Sequence, residues 1–297
     1  FEGDYTFAVD APFRLAGGGA LQPVTQHYAI YGKISPARDN VILVCHALSG
    51  SARVYDWWPQ LFGRGKPFDL QRYAIVGVNV LGSCYGSTGP TSIHPATGRP
   101  YGSDFPVVTI ADMVHAQARL LEHLGIERLH AVVGGSIGGM QALTWAAEYP
   151  GQVPRCVVVG ACPLSTLGLA LNHIQRQAIR LDPAYNQGHY SVDQPPAAGL
   201  GLARALAMCT YKSPELFEHR FGRKHDRSGE DPLSSHQGRF DIGGYLDYQG
   251  RIFNSRFDAN SYMVITRAMD LFDVGATPDE EARILCRIKA RTLMVGI

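Results

Sequence analysis

Along this chain of 297 residues the apolar positions change rhythm more than once. From Val24 to Tyr31 (VTQHYAIY) polar and apolar residues alternate, which is the period of a strand with one wet face. The stretch 1–38 is therefore expected to hold antiparallel edge strands. Asn40–His46 (NVILVCH) and Tyr73–Val80 (YAIVGVNV) are continuous apolar runs, and they predict strands buried on both faces. Thr109–Leu124 shifts to helical spacing through Ile110, Met113, Val114, Ala118, Leu121 and Leu124, with Gly125 at the C′ position. Leu129–Val133 predicts a strand, Pro150 ends the helix after it, and Cys156–Gly160 (CVVVG) predicts another strand. Strands alternating with helices at this spacing point to a mostly parallel sheet with right-handed crossovers.

From Leu164 to about Ile284 no strong buried-strand run remains. Ala198–Met208, Pro214–Arg220, Gly244–Phe253 and Ser261–Leu271 each predict a helix, and Arg223–Arg239 reads as a charged, Gly- and Ser-containing loop. Strand character returns only at Thr292. The expected organisation is a core over 1–163, a helical insertion over 164–284 and a return to the core over 285–297. The chain opens on Phe1 and closes on TLMVGI, which leads to the expectation that it is a piece of a longer protein.

The chemistry concentrates in Ala131–Pro150 (AVVGGSIGGMQALTWAAEYP). Gly134-Gly135-Ser136-Ile137-Gly138 falls between an apolar strand and a small-residue helix, the context of the nucleophile elbow in the α/β-hydrolase fold. Gly138, Gly139, Ala142 and Ala146 would let that helix lie close to the sheet. The serine hydroxyl would then stand at a helix N-terminus, whose amides favour negative charge. An ordinary Gly-rich turn carrying a solvated serine is the plainer alternative, and flanking buried strands with a lid-sized helical insertion weigh against it.

Acyl transfer through a serine needs donors for an oxyanion, a base and an orienting acid. The backbone N–H of Ile137 is one expected donor. The second belongs to the loop after an earlier strand, and His46-Ala47-Leu48-Ser49-Gly50 fits that place. The Leu48 amide is the expected donor, with Ala47 as its neighbouring alternative. His46 reads as structural, because this fold supplies its base late in the chain. By the same order the triad Asp and His are expected beyond Ile297, the acid just after the strand at Thr292–Ile297. His173, His189, His219, His225 and His236 read as surface or loop residues, and Asp270 and Asp273 as helix-terminal or salt-bridged acids.

Composition narrows the rest. A net charge of +1 leaves no electrostatic footprint for nucleic acid or an acidic membrane surface. No apolar run reaches transmembrane length and no signal-peptide pattern opens the chain, so a cytoplasmic setting is expected. The six cysteines (45, 84, 156, 162, 209 and 286) include no CxxC pair and are expected as buried free thiols, with no metal site. Cys84 lies in a Gly-rich loop, Gly82–Pro90, without a cationic partner and reads as inert. Neither GRGKPF at Gly63 nor GGSIGG has phosphate- or dinucleotide-loop spacing.

Several longer stretches carry a specific resemblance. CHALSGSA at 45–52, VNVLGSCYGSTGP at 78–90, DFPVVTIADMV at 104–114 and GGSIGGMQALTWAAEYP at 134–150 resemble the homoserine O-acetyltransferase family. So do QAIRLDPAYNQGHY at 177–190, GLARALAMCTYKS at 201–213, RFGRK at 220–224 and RFDANSYMVITRAMDLFD at 256–273. The resemblance implies an α/β-hydrolase core with a helical lid through which two subunits dimerise. It implies acetyl transfer from acetyl-CoA, as co-substrate with no bound cofactor, to the hydroxyl of L-homoserine in methionine biosynthesis. It matches Ser136 to the nucleophile, Arg204 to the arginine that pairs with the amino acid's carboxylate, and Tyr211 to a tyrosine near the substrate. For Tyr211 a packed lid aromatic is the plainer alternative, and for Arg204 a helix-surface arginine. Relatives in this group use succinyl-CoA, or serine as acceptor. The HALSG loop favours acetyl transfer to homoserine, and a serine esterase on the same fold is the other alternative.

Overall fold

A computed structural model describes residues 1–226, 229 and 231–296, so Ile297 of the last expected strand lies outside the described residues. The chain divides into two compact units, one made of 1–164 with 261–296 and the other of Ser165–Asn260.

The first unit is built on a seven-stranded sheet. In chain order its strands are β1 (Glu2–Phe7), β4 (Val24–Tyr31), β5 (Val41–Cys45), β6 (Ala74–Val78), β7 (Ala131–Gly135), β8 (Arg155–Val159) and β9 (Arg291–Val295). A small hairpin of β2 (Phe13–Arg14) and β3 (Ala20–Leu21) stands apart. The spatial order is β1-β4-β6-β5-β7-β8-β9, with β1–β4 and β4–β6 antiparallel and every later pair parallel. The strands expected from the apolar runs are all present, but the alternating stretch, β4, is antiparallel to a neighbour on each side and lies one strand in from the edge, which is β1.

The continuous runs are explained by two cores. In β5, Val41, Leu43 and Cys45 face α2 (Ile110–His123) and α3 (Ile137–Glu148), whose Leu120, Leu121, Ala142, Trp145 and Ala146 meet them. Ile42 and Val44 turn to the opposite face, against Val54, Phe62 and Phe68 from the segment containing α1 (Val54–Trp57). Each such side chain, once fully buried, contributes about 1.5–3 kcal/mol. Helix α2 starts where its sequence says it should. Thr109 accepts from the Asp112 N–H, Asp112 accepts from the Thr109 N–H, and Asp112 also takes the Ala16 N–H at 2.9 Å.

The second unit contains α4 (Thr166–Arg180), α5 (Ala197–Thr210), α6 (Pro214–Arg220) and α7 (Asp241–Asn254). Helices α5 and α7 cross at glycines: a Cβ on Gly250 would lie 2.8 Å from the Gly201 carbonyl oxygen. Tyr190 donates its hydroxyl proton to Asp258 at 2.5 Å and accepts the Asn260 N–H at 2.9 Å, closing the unit's end. The chain then continues through α8 (Ala259–Asp270) and α9 (Pro278–Leu285).

Three expectations need correction. The helical unit ends at Asn260, not 284, because α8 buries Tyr262, Ile265 and Ala268 within the first unit and brings Val264 against Gly82. Helix α4 was not among the four expected: it buries Asn172, Gln175 and Arg176 while Leu167 and Ile174 are 68% and 52% exposed, an inverted stripe. All six cysteines are free, but only Cys45 and Cys156 are buried, and 162, 209 and 286 are exposed. No described helix is long and apolar enough to cross a membrane.

Candidate active site

Ser136 occupies the turn between β7 and α3 with φ 56° and ψ −127°, and its side chain is exposed. A non-glycine residue in that region costs about 1–3 kcal/mol and is held only by its surroundings. Here the restraint is visible. The Ser136 N–H donates to the Val159 carbonyl at 2.9 Å, and the Ser136 carbonyl accepts from Gly139 and Met140 at 2.8 and 3.1 Å. The flanking glycines are required by space. A Cβ on Gly134 would lie 2.0 Å from the Gly138 oxygen, and one on Gly138 would lie 2.0 Å from the Cys45 oxygen. The start of α3 therefore rests directly on the end of β5.

A buried polar chain fixes the helix start from behind. Trp145 Nε1 donates to Gln117 Oε1 at 2.8 Å, Gln117 Nε2 donates to Gln141 Oε1 at 2.7 Å, and Gln141 Nε2 donates to the Ile137 carbonyl at 3.3 Å. All three side chains are buried, so each bond also satisfies a group that water cannot reach.

The loop leaving β5 supplies the other side. His46 is fully buried; its Nδ1–H donates to the Ala47 carbonyl at 2.8 Å and its Nε2 accepts the Val80 N–H at 3.3 Å. Burial lowers its pKa to about 4, with the Ala47 bond opposing, so it is neutral near pH 7. That is a structural role, as expected. Leu48 is buried beside it, and neither the Leu48 nor the Ile137 N–H has a hydrogen-bond acceptor among the described residues. Amides left open at the mouth of a helix N-terminus can receive a developing oxyanion. Asn79 braces this region and was not singled out from the sequence. Its Oδ1 accepts the Ala52 N–H, its Nδ2 donates to the Tyr85 carbonyl, and its own carbonyl accepts from Ser87 Oγ at 2.7 Å. The signal was one amide side chain inside the apolar run YAIVGVNV.

The acids weighed near the last strand have local roles. Asp273 Oδ1 accepts the Val274 and Gly275 N–H groups at 2.8 and 3.3 Å, and Asp270 sits 3.9 Å from Arg267. The five histidines after Ser136 all fall in the second unit. At the carboxyl edge of the sheet the Gly160 N–H donates to the Val295 carbonyl at 2.7 Å. The carbonyl of Val159, one residue earlier, holds Ser136. The backbone after Val295 thus leaves the sheet one strand beyond the neighbour of the elbow. No group of three or more metal-ligating side chains is gathered among the described residues.

In the second unit Arg204 and Tyr211 are brought together. The Arg204 guanidinium carbon lies 5.4 Å from the Tyr211 ring centroid and 4.8 Å from that of Phe253. Stacking on its faces orients a guanidinium while leaving its N–H edge for a carboxylate. Tyr211 remains 53% exposed.

Comparison with known proteins accords with these features. Residues 40–270 match the alpha/beta hydrolase fold family. The homoserine O-acetyltransferase of Symbiobacterium thermophilum is 48% identical over 96% of this chain and 78% of its own length. The homoserine O-succinyltransferase of Leptothrix cholodnii is also 48% identical, over 87% of this chain and 72% of its own. Among solved structures, esterase E22 superposes with a TM-score of 0.88 at 34% identity, covering all of this chain and 85% of that one. With its elbow at Ser136 and relatives of this closeness, the chain belongs to the homoserine O-acetyltransferase family of the α/β-hydrolase fold.

Proposed function

We propose that this enzyme moves the acetyl group of acetyl-CoA to the hydroxyl of L-homoserine through an acyl-serine intermediate. The observation that carries the reading is the strained, exposed Ser136 at the N-terminus of α3. Ser136 Oγ attacks the thioester carbon, giving its proton to a base, and the Ile137 and Leu48 amides receive the oxyanion. The C–S bond then breaks, and CoA leaves as the thiol with the proton that the base hands to its sulfur. In the second half the homoserine hydroxyl gives its proton to the base as it attacks the acyl-enzyme, the Ser136 Oγ–C bond breaks, and the base passes that proton to Ser136 Oγ. The family's chain order supports placing the base and its orienting acid beyond Ile297. Arg204 binds the homoserine carboxylate, Tyr211 lies near it, and the helical unit acts as a lid that favours transfer over hydrolysis by excluding water.

Relatives of both kinds are equally similar, so the preference for acetyl over succinyl rests on the HALSG loop. A homodimer through the helical unit, working in the cytoplasm, completes the reading; exposed Leu167, Leu181 and Leu202 on α4, α5 and the turn between them support the first part. The reading is tested with full-length protein and acetyl-CoA alone. Mass spectrometry should find one acetyl group on Ser136 that homoserine discharges as O-acetylhomoserine. No acetyl on Ser136 sinks the mechanism.

The similarity to esterase E22 favours a second reading, hydrolysis of a small acyl ester. Turnover of p-nitrophenyl acetate that homoserine fails to divert would select it.

A further inference from the structure

Around the first half of α7 the second unit gathers cations on aromatic rings. Lys212 Nζ donates to the Tyr245 hydroxyl at 2.8 Å and lies 4.6 Å from that ring's centroid. The Arg220 guanidinium carbon lies 4.9 Å from the same centroid and 5.0 Å from that of Phe221. Two positive charges therefore share one tyrosine ring. Arg223 stacks 4.9 Å over Phe240, the residue capping α7, and Lys224 donates to the Arg220 carbonyl at 3.3 Å. The Asp241 N–H bonds the Lys224 carbonyl at 2.9 Å, tying the four cations to the start of α7.

No carboxylate pairs with Lys212, Arg220, Arg223 or Lys224 among the described residues. The nearby acids Asp226 and Asp247 are both engaged by Arg239. Glu215 and Glu218 on α6 and Asp241 in the first turn of α7 offset part of the charge nearby. Cations that have no carboxylate partner of their own keep N–H groups for an incoming anion. The rings explain how the cluster is held. Cation–π stacking fixes the flat face of a guanidinium and leaves its N–H edge for a bidentate acceptor. Arg220, Arg223 and Lys224 are exposed, and Lys212 and Tyr245 are partly so, which suits a ligand arriving from water.

We propose that Lys212, Arg220, Arg223 and Lys224, carried on Tyr245, Phe221 and Phe240, bind a multiply phosphorylated ligand. On the reading above, that ligand is the nucleotide end of the acyl-CoA donor. The site would grip the diphosphate and the ribose phosphate, and take no part in the chemistry at Ser136.

The test uses full-length protein and two donors, acetyl-CoA and S-acetyl-N-acetylcysteamine, which carries the same thioester and no phosphate. Arg220→Gln and Lys212→Gln are each expected to raise KM for acetyl-CoA about tenfold or more, the weight of a charge-assisted hydrogen bond. They should leave KM for the short thioester within about twofold. Arg220→Lys should recover part of the loss, and 3′-dephospho-acetyl-CoA should respond less than acetyl-CoA if the ribose phosphate is gripped. Equal changes on both donors, or no change on either, overturn the proposal. Calorimetric binding of free CoA against pantetheine reads the cluster without turnover. CoA binding that weakens in Arg220→Gln supports it even if wild-type enzyme acetylates nothing, an outcome that would sink only the acyl-transfer reading. A binding loss seen equally for inorganic triphosphate and CoA would assign the site to polyphosphates at large and overturn its assignment to the donor.

Discussion

The elbow and the cationic stretch of the helical unit are built on opposite principles. Around Ser136 the closest packing is backbone on backbone, and a Cβ on Gly134 or Gly138 would lie 2.0 Å from a carbonyl oxygen. Around Arg220 the contacts are made by long exposed side chains lying on rings, and Gly222 would meet nothing closer than 3.5 Å. The first region is rigid because its geometry leaves no alternative, which suits a nucleophile that must face a developing charge without rearranging. The second is adjustable, which suits holding a ligand by charge. Substitutions should therefore cost activity or stability outright in the first region and affinity in the second.

The sharpest break is Ser136→Ala. Relieving a positive φ residue of its hydroxyl leaves the packing intact, so kcat should fall by about 10³-fold or more with the thermal midpoint nearly unchanged. A variant that keeps activity would end the distinction between the two regions. Gly138→Ala tests the steric claim next. Its Cβ meets backbone, which cannot yield as a side chain can, so a loss of about 3 kcal/mol or more in denaturant unfolding is expected.

His46 offers a pH test of the same rigidity. Its folded pKa of about 4 lies below the ordinary histidine value, so the unfolded chain binds a proton that the folded chain refuses. Stability is full above about pH 6.5 and falls as pH drops toward 4, by about 3 kcal/mol in all. Replacing it, as in His46→Gln, should flatten that slope in thermal melts between pH 7 and pH 5. Arg204→Lys probes a second ring-stacked cation of the helical unit, outside the Lys212–Lys224 stretch. Losing the planar fork should raise KM for homoserine about tenfold while kcat changes little, measured against wild type at saturating acetyl-CoA. The smallest effect belongs to His115, whose pKa is raised by its hydrogen bond to Glu148 at 2.6 Å, against partial desolvation. That half-exposed pair adds at most about 1 kcal/mol below the unfolded pKa and loses it as pH rises through the raised folded value. Glu148→Gln should erase it.

Much of the core was legible because its signals are local. Buried parallel strands must be apolar on both faces, so β5, β6 and β7 stand out as runs; a strained turn beside a helix needs glycine, so GGSIG stands out as spacing. Helix α4 was hidden because it turns Asn172, Gln175 and Arg176 inward, and periodicity reads apolar stripes as buried ones. The end of the helical unit was misplaced for a related reason: nothing local in Ser261–Leu271 says which core its apolar face will join.

By itself, then, the sequence determined the alternation of strands and helices, the elbow and the place of Ser136 in it, because each follows from short-range sterics and burial. Only the tertiary structure decided that Gln117, Gln141 and Trp145 form one chain behind Ile137, and that His46 is a neutral brace. It alone showed Asn79 tying the loop after β5 to the loop after β6, and Lys212 and Arg220 sharing the ring of Tyr245. Those partners are 24 or more residues apart, except for the short reaches from Asn79 to Tyr85 and Ser87 and from Gln141 to Ile137, and the Ala47 bond of His46. Hydrogen bonding and charge act through space, and a linear pattern carries no record of which distant side chains the fold will bring within 3 Å of one another.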